Sequence, residues 1–128
     1  MSADFVQNWF SRGDEDLALV RLILGDEDKL SNLACFHAQQ AAEKYFKGFL
    51  AHHDLHIRKV HSIEELQGDC ERLDHTFMQL QEDAVFLSKF YTETRYADDY
   101  IEFSREDAEK AFDAAKHIKE FVLEKIKN

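Results

Sequence analysis

The chain has no proline and only four glycines among its 128 residues, so little in it interrupts a helix. It has only two cysteines, Cys35 and Cys70, far from any C-x-x-C spacing. That excludes a disulfide framework or a zinc ribbon, and isolated thiols of this kind read as buried side chains of a cytoplasmic protein. No apolar run approaches the ~20 residues of a membrane span, which predicts no membrane association. The opening MSADFVQNWF lacks the basic and apolar regions of a signal peptide. Sustained apolar/polar alternation, the mark of a strand, is missing throughout. Basic residues are in deficit: 16 Lys and Arg stand against 26 Asp and Glu, a net charge of −10. A polyanion would be repelled by such a surface, so any contact with RNA or a nucleotide must use a local patch. There is no Gly-rich phosphate loop, no G-x-S-x-G, no H-E-x-x-H and no Glu-x-x-His. No cofactor or metal is expected.

What is present is helical periodicity. A 45% hydrophobic and 33% charged composition is that of a globular chain, and the length fits one domain over residues 1–128. Asp4 and Gln7 form a capping pattern ahead of Phe5, Trp9, Leu17, Val20 and Leu24 at helical spacing. Gly13 falls on that face and permits close approach of another helix. The run Gly25 to Asp28 ends the helix. Ser31 is placed to cap a second helix reaching about His53, whose broad apolar arc marks it as central. A polar connection, His52 to His61, leads to a short helix from about Ser62 to Leu73, with Ser62 and Glu65 as its cap pattern. Thr76 and Gln79 repeat the pattern before a fourth helix carrying Phe77, Leu80, Ala84, Leu87 and Tyr91. The stretch Thr92 to Phe103 has no helical face. Ser104 and Asp107 open a final helix with Ala108, Ala111, Ala115, Ile118 and Val122 inward. The sum is an all-α fold: an antiparallel bundle of four long helices plus one short helix.

Three constellations are candidates for function. Within FHAQQAAEKYFKGFL, the residues His37, Gln40, Glu43, Lys44 and Lys47 are spaced to adjoin on one face of the second helix. Two readings stand. One is a solvated face with a Glu43–Lys47 pair worth a few tenths of a kcal/mol; the other is a surface for phosphate or a partner. His52 and His56 stand four apart and, with His61, offer a metal reading if the helix extends that far. Arg95, Tyr96, Asp98, Asp99 and Tyr100 put a cation, rings and carboxylates in a segment with no packing pattern. They serve either to hold a nucleotide by phosphate contact and stacking, or to pin the loop onto the bundle.

Taken together, ACFHAQQAAEKYFKGFLA (Ala34 to Ala51), VHSIEEL (Val60 to Leu66), TRYADD (Thr94 to Asp99) and SREDAEKAFDAAKHIKEFV (Ser104 to Val122) resemble the HEPN family of nucleotide-binding domains, in order and spacing. WFSRGDEDLALVRLIL (Trp9 to Leu24) fits the family's first helix. The resemblance implies a helical bundle, often dimeric. The family includes metal-independent ribonucleases whose signature is Arg, four to six residues, then His. No arginine here has a histidine at those distances; Arg58 and Arg72 each have one three residues on, which is too short. Arg95, Tyr96, Ala97 and Asp98 are similar instead to a subgroup with an Arg-Tyr-Pro-Asp loop, with Ala97 in place of the proline. That subgroup is often encoded beside a minimal nucleotidyltransferase. The resemblance therefore implies a non-catalytic, toxin–antitoxin-type module. On this resemblance such a module is expected to bind a nucleotide, RNA or that partner through His37, Gln40, Lys44, Lys47, His61, Arg95, Tyr96 and Asp98. The alternative is a metal-independent ribonuclease toxin using Arg95 with His61 or His37.

Phe5, Val6, Trp9 and Phe10 crowd the start of the first helix and span more than one helix–helix contact covers. Exposed apolar area of that size marks an interface, which predicts a two-fold homodimer in which the first helix or the polar stripe of the second takes part; the alternative is that all four side chains pack on the final helix of their own subunit.

Overall fold

A computed structural model describes residues 1–26, 29–91 and 101–127. The first helix, α1 (Ala3–Leu24), begins where the Ser2 hydroxyl accepts the Phe5 N–H at 3.1 Å. The cap is therefore Ser2 and not Asp4, which lies in the first turn, where a carboxylate complements the helix dipole. Gly25 closes the helix by donating its N–H to the Arg21 carbonyl at 3.0 Å.

The second helix, α2 (Ser31–His52), is not capped by Ser31. The chain enters it through Leu30 at φ 65°, with no side-chain cap. For a leucine that left-handed conformation is unfavourable. The next turn is held from elsewhere: the Asn32 amide donates to the Ile101 carbonyl at 2.6 Å, and its oxygen accepts the Phe103 N–H at 2.7 Å.

The small residues of α2 explain why it is central. Ala34, Ala38, Ala41 and Ala42 are fully buried, and α1 and α5 both pack along the helix. Against α1 the fit is reciprocal. A methyl group on Gly13 would lie 2.9 Å from Tyr45 Cζ, and one on Gly48 would lie 2.4 Å from Phe10 Cε1. Each helix thus offers a glycine to the other's ring. Phe10 meets Gly48, Gly13 meets Tyr45 and Asp16 meets Lys44, a register that runs antiparallel.

The remaining elements close the other side. α3 (Ile63–Leu73) starts at Ser62, whose hydroxyl accepts the Glu65 N–H at 3.2 Å, as the pattern indicated. Asp74 then accepts both the Thr76 N–H (3.0 Å) and its hydroxyl (2.6 Å), so Thr76 is capped and does not cap. The Thr76 hydroxyl bond, partly offset by desolvation, holds the Asp74 carboxyl below its ordinary value. A 3₁₀ turn (His75–Leu80) leads into α4 (Gln81–Ser88), only 8 residues long. α5 (Arg105–Lys125) opens with the expected Ser104–Asp107 capping box. The fold is an all-α bundle, with five α-helices among the described residues and three of them long. Phe46 and Phe49 of α2 lie against Phe77, which is 5.0 Å centroid to centroid from Phe121.

Ala108, Ala111, Ala115, Ile118 and Val122 all face inward. The start of α1 is a correction. Its buried face carries Val6 and Phe10, while Phe5 stays 42% exposed and Trp9 is half-buried. The slot above Gly48 takes Phe10, so Val6 and Phe10 are not interface residues but the chain's own core. Among the described residues no helix is long and apolar enough to cross a membrane.

Candidate functional site

The residues of the α2 stripe divide between two carboxylates. The first is Asp16, carried by α1 and almost buried. One of its oxygens lies 2.8 Å from His37 Nδ1, and the other accepts from Lys44 Nζ at 2.5 Å. It reaches them because Gly13, one turn earlier, lets α1 and α2 approach closely. The second is Glu43, on α2 itself and 4% exposed. It accepts from Lys47 Nζ at 3.0 Å and has both oxygens 3.2 Å from His61 Nδ1. His61 arrives on the α2–α3 connection, where its carbonyl accepts from Gln39 Nε2 at 3.2 Å. Its ring stacks on Tyr91, 5.0 Å away and 16° from parallel. The Lys47 ammonium also sits 5.6 Å from the centre of the Trp9 ring.

The reading of this stripe as a solvated face therefore fails at its centre. The Glu43–Lys47 pair exists, but Lys47 is only 6% exposed. A pair on a wet surface contributes little. A pair that has left water holds each partner by the other's presence, and removing one strands a buried charge. Gln40 adjoins both clusters on the helix face, and its buried Oε1 has no hydrogen-bond partner among the described residues. Gln39 Oε1 is in the same state.

Each histidine is thus fixed at Nδ1 by a carboxylate. That contact sets the ring orientation and leaves Nε2 as the nitrogen without a hydrogen bond among the described residues. A neutral ring held this way presents an acceptor; a protonated one presents a charged donor suited to a phosphate oxygen. The His61 side chain is 47% exposed and that of His37 25%, so both rings are within reach of solvent.

His37 and Lys44 are joined by Asp16, and Lys47 and His61 by Glu43, with Gln40 alongside. Arg95, Tyr96 and Asp98 lie outside the described residues. The metal reading of the histidines loses its geometry: α2 ends at His52, so His56 does not follow on the same helix, and His61 turns to Glu43. No group of three potential metal ligands occurs among the described residues. The thiols are not nucleophile candidates. Burial pushes Cys35 up to about 12, and burial raises Cys70 as well. Asp16 was not legible as a site residue. Its signal is a carboxylate at helical spacing among Gly13, Leu17 and Val20, on a face that should be apolar.

A family model described as the HEPN domain matches residues 6–126. Two solved structures resemble the chain along nearly its whole length. TT1696 from Thermus thermophilus is 34% identical, with a TM-score of 0.81 over 94% of this chain and 98% of its own. ST0689, described as an archaeal HEPN homologue, is 32% identical, with a TM-score of 0.78 over 95% of this chain and 98% of its own. No curated protein matches. The bundle, the order of its motifs and these matches agree: the chain belongs to the HEPN domain family.

Proposed function

We propose that this chain is a non-catalytic HEPN module that takes a nucleotide on the α2 face. It acts in the cytoplasm as a single-domain homodimer beside a minimal nucleotidyltransferase in a toxin–antitoxin-type pair. The observation that carries the reading is the double carboxylate arrangement. Asp16 and Glu43 each hold one lysine and one histidine along a single helix face. Lys44 and, when protonated, His37 and His61 are donors to phosphate held in place before any ligand arrives, which lowers the ordering cost of binding. The missing Arg-x4-6-His signature supports binding without cleavage. Calorimetry with ATP, ADP and AMP tests it. Saturable heat is expected, weakened roughly ten-fold in His37→Ala, as loss of one charge-assisted bond gives. No heat with any nucleotide, together with no capture of the neighbouring nucleotidyltransferase, overturns it. The homodimer rests on what the HEPN resemblance implies, and light scattering should return twice the chain mass.

One observation favours a second reading. A carboxylate-oriented imidazole is the unit of general acid–base catalysis, and His37–Asp16 and His61–Glu43 are two such units. As a ribonuclease, the protein would cleave RNA without metal, and Arg95→Ala or His61→Ala would abolish cleavage. Intact RNA after incubation with wild-type protein removes this reading.

A further inference from the structure

The outer face of α1 carries Phe5, Asn8, Trp9 and Arg12, spaced so that all four share one stripe. They enclose a hollow of about 210 Å³. The Phe5 and Trp9 rings stand nearly perpendicular, at 87° and 6.2 Å, and give it an aromatic corner. Arg12 forms no hydrogen bond, ion pair or ring contact among the described residues. Every other described arginine is engaged. Arg21 lies over Phe112, Arg58 and Arg72 converge on Asp69, and Arg105 holds the Leu24 and Asp26 carbonyls. In a chain of net charge −10, an arginine left without a carboxylate is conspicuous. The Asn8 amide is likewise without a hydrogen bond among the described residues, so a donor and an acceptor remain available beside the rings.

We infer that this hollow is the base subsite of a nucleotide. An aromatic ring packs into the Phe5–Trp9 corner, the Asn8 amide meets the ring's polar edge, and the Arg12 guanidinium takes the phosphate. The hollow holds a ring and not a whole nucleotide, which leaves the phosphate at its rim. Stacking on an indole and a guanidinium on phosphate are each strong, sequence-tolerant contacts. Lys47 connects the two regions, since its ammonium lies over Trp9 while bonded to Glu43 of the α2 face. The inference rests on the nucleotide reading above and adds the position of the base.

Trp9 is the only tryptophan, so its emission reports on this hollow and on the Lys47 ammonium above it, and the Arg12→Gln variant separates the two. The test titrates AMP, adenosine and inorganic phosphate, with excitation beyond adenine absorption, alongside calorimetry. The variants are Arg12→Gln and His37→Ala. A saturable change with AMP is expected, weaker with adenosine, absent with phosphate, and shifted about ten-fold to higher AMP in Arg12→Gln. Calorimetric AMP binding lost in His37→Ala but untouched in Arg12→Gln, with silent Trp9 emission, overturns this inference and leaves the α2 reading standing. The reverse pattern overturns the α2 reading and supports the hollow. Emission that changes with protein concentration alone places a second copy on this face and overturns the inference, as does the absence of any AMP effect.

Discussion

The two sides of α2 are buried by different means. On one side, Phe46 and Phe49 meet Phe77, and Ala41 and Ala42 let neighbouring helices approach. On the other, Asp16 and Glu43 gather His37, Lys44, Lys47 and His61. The dry side obtains its stability from removed apolar area, at ~25 cal/mol per Å², and any well-shaped hydrophobe will serve there. The charged side gains little net stability, because desolvating its ions offsets most of their attraction. A sequence selected for stability alone would fill it with leucine. What the charged side supplies is fixed position and fixed charge, which a binding surface needs and a core does not.

The largest loss of stability is expected on the dry side. Phe49→Ala removes a ring 2% exposed, and its denaturant midpoint should fall by the equivalent of about 3–5 kcal/mol. A cost below about 1 kcal/mol would mean that the Phe77 contact is not the core. On the charged side, Glu43→Ala should cost a comparable ~3 kcal/mol, because Lys47 is left buried without a partner. The sharper variant is the pair Glu43→Leu with Lys47→Met. It should be close to neutral in thermal unfolding while abolishing nucleotide heat in calorimetry. If the pair instead unfolds the protein, the charges are structural. Between the two sides lies the α1 contact. Gly48→Ala drives a methyl into Phe10 and should cost about 1–3 kcal/mol in urea unfolding, despite its better helix propensity. The smallest effect is chemical. With burial raising both thiols, Cys35 to about 12, neither should react with a thiol reagent at about pH 8 until the protein is unfolded. Rapid labelling in native buffer would show that the dry side opens.

Legibility in the sequence followed the same divide. Apolar periodicity placed α2, α3 and α5, and the Ser62 and Ser104 caps, because those signals are local. It misread the start of α1. Phe5 and Trp9 have the same spacing as Val6 and Phe10, and only the glycine slot on α2, far along the chain, decides which pair turns inward. Ser31 looked like a cap because capping is scored on residue type, whereas the Leu30 turn and the Asn32 clamp on residues 101–103 depend on the partner segment. The fourth helix came out shorter than its pattern, since Asp74 captures Thr76 into a 3₁₀ turn. At the site, the stripe was visible as a row of residue types. Its burial was not, because Asp16 and His61 reach α2 only through tertiary packing. Arg95, Tyr96 and Asp98 remain part of the proposal on sequence alone.

The central claim is that the charged side of α2 is a ligand surface. Amide and histidine-ring NMR spectra recorded during an AMP titration test it most directly. Saturable shifts are expected, concentrated at His37, Gln40, Lys44, Lys47 and His61 and extending to Trp9 and Arg12, with Phe46, Phe49 and Phe77 unmoved. Shifts confined to the opposite side of the bundle, or none at saturating AMP, would contradict it.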